Sequence, residues 1–129
     1  MTAIDVTEAN RKVLLDFIDL FYRQRKVRSA FERHVAPEYV QHNPNILDGR
    51  EAAITALEPL FGSPDASFDI QRVLVDGEFG AIHLRGRRSQ AVLGAAVVDL
   101  YRFHAGKIVE HWDVLQPVPE SALNPHPMF

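Results

Sequence analysis

Phe68-Asp-Ile-Gln-Arg-Val-Leu-Val75, then Asp76-Gly77, then Phe79-Gly-Ala-Ile-His-Leu-Arg-Gly86 is the stretch on which the fold turns. β-Branched and aromatic residues are frequent in the first run, and the Asp-Gly pair that follows it is a hairpin signal. The runs read as two antiparallel strands, 68–75 and 79–86. Toward the C-terminus the same texture continues. Residues 87–95 read as a loop or irregular strand, Val97 to His104 as a strand, Ala105-Gly106 as a turn, and Lys107 to Gln116 as the last strand. Residues 117–129 contain four prolines and are expected to lie extended on the surface or on a partner.

Toward the N-terminus the period changes. Val13, Leu14, Phe17, Ile18, Leu20 and Phe21 recur at helical spacing, which predicts a helix over about residues 7–25, capped by Asp5 or Thr7. A shorter helix carries Val27, Ala30, Phe31 and His34 or Val35 on one face, and Pro37 stops it. Tyr39 to Pro44 is a short extended segment. Asp48 and Glu51 have capping-box spacing before a third helix with Ala53, Ile54, Leu57, Leu60 and Phe61 as its buried stripe, which Pro59 should bend or end. Helices first and an antiparallel meander second is the α+β pattern, with helices on one face of a sheet. A ferredoxin-like fold is disfavoured, because its helices would interleave with the strands.

Residues 1–129 are expected to form one domain, of which 117–129 is the tail. With 47% hydrophobic and 24% charged residues the chain is an ordinary globular one. The net charge of −3 gives no basic surface, so no nucleic-acid partner is expected. The absence of cysteine excludes thiolate nucleophiles and thiolate metal sites. No apolar run is long enough for a membrane span and no signal-peptide pattern opens the chain, so no membrane partner and a cytoplasmic location are expected.

Alternation then assigns strand faces. Val109, His111, Asp113 and Leu115 share one face of the last strand, while Ile108, Glu110, Trp112 and Val114 share the other. Val97, Asp99, Tyr101 and Phe103 share a face, as do Phe79, Ala81, His83 and Arg85. Polar groups thus recur on apolar faces, the composition of a small-molecule pocket. His34, His104 and His126 read as surface residues. His42, His83, His111 and Asp113 could converge on zinc or iron, but no local ligand spacing supports that, and no metal is expected. No serine sits in a nucleophile elbow.

Four blocks carry a resemblance: Tyr39-Val-Gln-His-Asn-Pro44, Asp48-Gly-Arg-Glu51, Val98-Asp-Leu-Tyr-Arg-Phe103 and Gly106-Lys-Ile-Val-Glu-His-Trp-Asp-Val114. In order and spacing they resemble the SnoaL-like polyketide cyclases of the nuclear-transport-factor-2-like superfamily. The resemblance implies a cone-shaped α+β barrel, in which N-terminal helices pack on a strongly curved, mostly antiparallel sheet around a pocket. It also implies a homodimer, and an acid/base reaction without cofactor. By motif position Asp113 is the candidate acid/base, and His42 and His83, which fall where pocket-lining polar residues are expected, are the further catalytic candidates, either of which could donate to the developing oxyanion. Tyr39, Asn43, Asp99, Tyr101 and His111 are the candidate substrate-binding residues. The stretch Arg87 to Gly94 matches none of the blocks and is a candidate for rim residues that select substrate.

Two functions follow. One is an aldol-type cyclase, isomerase or dehydratase acting on a small hydrophobic carbonyl compound. The other is a dimeric small-molecule-binding module without catalysis.

Overall fold

The computed structural model describes residues 2–129. Three helices precede and flank a five-stranded sheet. They are α1 (Ala3–Ile18), α2 (Val27–His34) and α3 (Arg50–Phe61). The strands are β1 (Val35–Gln41), β2 (Ser67–Asp76), β3 (Phe79–Arg87), β4 (Ala95–His104) and β5 (Lys107–Pro117). The order across the sheet is β1-β5-β4-β3-β2. The meander β2 to β5 is antiparallel as the sequence implied, but β1 pairs with β5 in parallel. The sheet is therefore mixed and open, with β1 and β2 as its edges.

The helices differ from expectation at their ends. α1 starts four residues early, because Thr2 and Asp5 form a reciprocal capping box, while the Thr7 hydroxyl accepts the Gly77 N–H of the β2–β3 turn. After Ile18 the helix loosens into a π-helical turn, Asp19–Arg23. Asp48 does not cap α3. Its carboxylate accepts the Gln41 N–H at 2.7 Å, and the N-cap is Gly49. α3 runs through Pro59 and ends two residues later. His34, expected at the surface, is buried against Phe17 and paired with Asp16.

Two bulges set the sheet's faces. Ile70 opposes Leu84 and Arg72 opposes His83, so Gln71 is an extra residue in β2. It lets both Ile70 and Val73 pack on the core, although three positions apart. Phe103 opposes Ile108 while Arg102 opposes Glu110, so Val109 is extra in β5. That bulge turns Ile108 inward with His111, correcting its expected place beside Glu110 and Trp112. The β4–β5 turn uses positive φ at both Ala105 (50°) and Gly106 (79°), as a two-residue hairpin with the sheet's twist requires.

Helix and sheet meet through aromatics. Phe21 stacks on Phe61 at 4.1 Å and Phe61 on Phe68 at 3.9 Å. Each such pair adds roughly 0.5–1.5 kcal/mol beyond its buried area. The tail runs back over the sheet's outer face, where Met128 O meets the His83 ring at 3.1 Å and the Phe129 ring lies 5.0 Å from the Arg85 guanidinium.

Candidate functional site

Between the inner face of the sheet and the helices lies a cavity of about 500 Å³. Phe21, Phe31, Leu57, Leu60, Phe61, Phe68, Leu84, Val97 and Leu115 make most of its wall. At one end polar groups converge: Tyr22, Tyr39, Gln41, Asn43, Asp99, Tyr101, His111 and Asp113. β5 brings His111 and Asp113, and β4 brings Asp99 and Tyr101, in the register Asp99↔Asp113 and Tyr101↔His111. β1 ends here with Tyr39 and Gln41. The π-helical turn carries Tyr22 to Asp99, its hydroxyl donating to Oδ2 at 2.6 Å. Functional sites often recruit such turns.

The hydrogen bonds fix one another's directions. The Asn43 backbone N–H can only donate, and it meets Gln41 Oε1 at 2.9 Å. The Gln41 amide is thereby oriented, and His111 Nδ1, 2.7 Å from the same oxygen, must carry a proton. His111 Nε2 then faces Asp99 Oδ1 at 2.8 Å, a contact that needs a proton between them. The pair thus holds one proton, and both imidazole nitrogens are committed. Tyr22 has spent its hydrogen on Asp99, so the Tyr101 hydroxyl, 2.6 Å away, donates to Tyr22. By the same logic the Asn45 N–H orients Asn43 Oδ1 at 2.9 Å, and Asn43 Nδ2 donates to Asp113 Oδ2 at 2.7 Å.

Electrostatics follow from this packing. Burial, and next the charge of Asp99, push the hydroxyls of Tyr22, Tyr39 and Tyr101 well above the ordinary phenol value. All three stay protonated donors at neutral pH. Tyr39 is the one with an uncommitted hydrogen: its oxygen accepts a long 3.4 Å contact from Gln41 Nε2, and none of the described groups accepts its proton. Asp99, His111 and Asp113 each bring a ligand-type atom within 4.8 Å of the others. With both of its ring nitrogens engaged, His111 offers such a cluster no lone pair.

Of the eight residues singled out from sequence, six line the cavity: Tyr39, Asn43, Asp99, Tyr101, His111 and Asp113. His42 and His83, the expected oxyanion donors, do not, so neither can serve a reaction in this cavity. His42 stands on the outer face, stacked on Trp112 at 4.7 Å and bonded to Glu110 at 2.7 Å. His83 also faces outward, between Arg72 and the tail. In β3 the inward residues are Ile82 and Leu84, so the face shared by Phe79, Ala81, His83 and Arg85 is the outer one. Sequence reasoning missed Tyr22 and Gln41. Tyr22 sits beside the helical stripe and comes inward through the π-helical turn. Gln41 ends β1 two residues after Tyr39 and so shares its face, and period two is the signal that could find it.

An open, curved α+β sheet covered by helices over a cavity with polar groups is the class this geometry defines. The sequence pattern of the SnoaL-like domain matches residues 14–111, and the chain belongs to that family. The fold is shared with solved structures of low identity. An NTF2-like protein of unknown function from Mesorhizobium loti aligns with TM-score 0.73 and 22% identity, over 85% of this chain and 93% of that one. A candidate ketosteroid isomerase from Kribbella flavida gives 0.70 and 18%, over 92% and 85%. A candidate SnoaL-like polyketide cyclase from Jannaschia sp. CCS1 gives 0.64 and 20%, over 85% and 87%. No curated protein matches the sequence. Among the described residues no helix is long and apolar enough to cross a membrane.

Proposed function

We propose that this chain is a cofactor-independent acid/base enzyme acting on a hydrophobic carbonyl compound held in the cavity. The observation that carries the reading is that one cavity is lined both by Asp113, a carboxylate held by a single side-chain donor, and by Tyr39, whose hydroxyl hydrogen is uncommitted. Asp113 would take the proton from the carbon beside the carbonyl. Tyr39 would donate a hydrogen bond to the oxygen on which the negative charge collects. The enolate could then be reprotonated elsewhere (isomerisation), attack a second carbonyl (aldol closure) or expel a β-hydroxyl (dehydration). Candidate names among the structural neighbours include a cyclase and an isomerase, which supports this group of reactions without choosing within it.

The test is exchange of the hydrogens beside the carbonyl of hydrophobic ketones in heavy water, followed by NMR. Exchange above the buffer rate that collapses in Asp113→Asn is expected. Exchange unchanged in that variant would sink the assignment.

A second reading is a binding module without catalysis. It is favoured by the degree to which Tyr22, Tyr101, Asp99, His111 and Gln41 satisfy one another, which requires no reacting ligand. Under it Asp113→Asn alters affinity and there is no turnover to lose. The proposal includes a homodimer through the sheet's outer face, where Val40, Leu74, Phe79, Val98 and Val114 are exposed. A monomeric mass by light scattering at micromolar concentration would remove it.

A further inference from the structure

The cavity has a second polar end. Arg87 closes β3 half-buried, the exposed Arg88 follows it at the mouth, and both line the cavity. Among the described residues neither guanidinium makes an ion pair, and Arg87 Nε is buried with no protein acceptor. A guanidinium cannot shed its charge, and a buried N–H with nothing to bond is costly. The arm is nonetheless held in place. Gly94 has φ 75°, and a Cβ on it would meet Gly86 O at 2.1 Å and Arg87 Cγ at 2.5 Å, so the loop backbone packs directly on the Arg87 stem. The Val118 N–H in turn ties down Gly94 O at 2.9 Å.

The two ends are well separated. Gly86 opposes Ala95, and Asp99 lies four residues further along β4. At about 3.3 Å per residue that is about 13 Å along the strand. Asp113 is level with Asp99. Val97, Leu84, Leu115 and Phe68 line the stretch between. A basic end, an apolar middle and an end of carboxylates and hydroxyls call for a ligand with an anionic end, an apolar middle and a hydrogen-bond-accepting carbonyl, in that order.

We propose that the ligand of this cavity is an amphipathic carbonyl compound bearing a carboxylate, which Arg87 and Arg88 bind while the carbonyl reaches Asp113. The carbonyl half rests on the acid/base reading; the carboxylate half rests on the arginines alone. Arg–carboxylate bonds are charge-assisted and two-pronged, so they fix which end of an otherwise featureless hydrophobe enters first. The loop 87–94 would thereby set substrate class.

Titration calorimetry of the whole chain with decanoate and with 1-decanol tests this with one tail and two head groups. Decanoate should bind roughly tenfold tighter or better, the range of a charge-assisted hydrogen bond. Arg87→Met/Arg88→Gln should erase that preference and leave decanol affinity unchanged, which also reports that the cavity is intact. Equal affinities in the wild type, binding of neither, or a preference that survives the double substitution would each overturn the proposal. Should the variant not fold, the wild type decides: a decanoate advantage that shrinks from low to high salt supports the arginines, and a salt-independent one overturns them. Loss of the acid/base reading would show as absent carbon–hydrogen exchange with the decanoate preference intact. Failure here would leave exchange of a neutral ketone intact.

Discussion

Strand β5 carries two histidine–carboxylate pairs back to back. His111 turns inward to Asp99, while its neighbour Glu110 turns outward to His42. The distances are nearly the same, 2.8 and 2.7 Å, but the surroundings are not. The His111 and Asp99 side chains are 8% and 12% exposed, whereas those of His42 and Glu110 are 41% and 18% exposed. The inner pair is locked by Gln41 and Tyr22; the outer one shares its carboxylate with Arg102 and lies against an indole. Distance alone therefore says little about what a pair does. Water decides whether it is a costly, directional fixture or a minor surface contact.

The contrast can be broken from either side. Asp99→Ala should have the largest effect, about 3–5 kcal/mol of unfolding free energy, because it strands a buried partner. Denaturant melts would show it, and a loss below that of Glu110→Ala would contradict the contrast. Next comes Asp113→Asn, which should lower turnover roughly a hundredfold or more, about 2.7 kcal/mol in the barrier, while leaving the melting midpoint nearly in place. Gln41→Leu should cost about 1–3 kcal/mol, since it removes the acceptor of both His111 Nδ1 and the Asn43 N–H. Nitrogen-15 spectra of the imidazole should then report a changed proton distribution on His111, and an unchanged spectrum would refute the tautomer argument.

The smallest effect belongs to the outer pair. Glu110→Gln should cost less than about 1 kcal/mol and should shrink further in salt. Its pH dependence has a definite sign. The His42 hydrogen bond first, and then Arg102, hold the Glu110 carboxyl below its ordinary value of 4.5. A carboxylate lowered by folding stabilises the native state fully above its unfolded value, and loses that contribution as pH falls through the lowered one. The difference between wild type and Glu110→Gln should therefore be level above about pH 4.5 and shrink as the solution is acidified further. A difference that grew on acidification would reverse the assignment.

How much of this could be read from the chain depends on what period two and period 3.6 encode. The hairpin at Asp76-Gly77 and the helical stripe ending in Phe17, Ile18 and Phe21 were legible, because backbone chemistry and burial agree there. Alternation also grouped Asp99 with Tyr101 and His111 with Asp113. It states which residues share a face, not which face is inward, and for His83 the apolar company of Phe79 and Ala81 pointed the wrong way. Bulges at Gln71 and Val109 add a residue with no local signature, so alternation alone places Ile108 on the wrong side. The π-helical turn that brings Tyr22 to Asp99 and the parallel pairing of β1 with β5 are tertiary outcomes, fixed by distant partners rather than by neighbours in sequence.

An open sheet leaves two strands whose outer backbone groups could recruit another chain, the first step toward a fibre. β1 meets that hazard with Pro37, which has no N–H to offer, and with the irregular register between Val35 and Val40. β2 meets it with the Gln71 bulge and the exposed charges of Asp69 and Arg72. Both borders are thus poor templates for strand addition, so the chain should withstand concentration without growing edge to edge. Any self-association is left to its broad faces, and it stops at a closed pair where one patch meets its own copy.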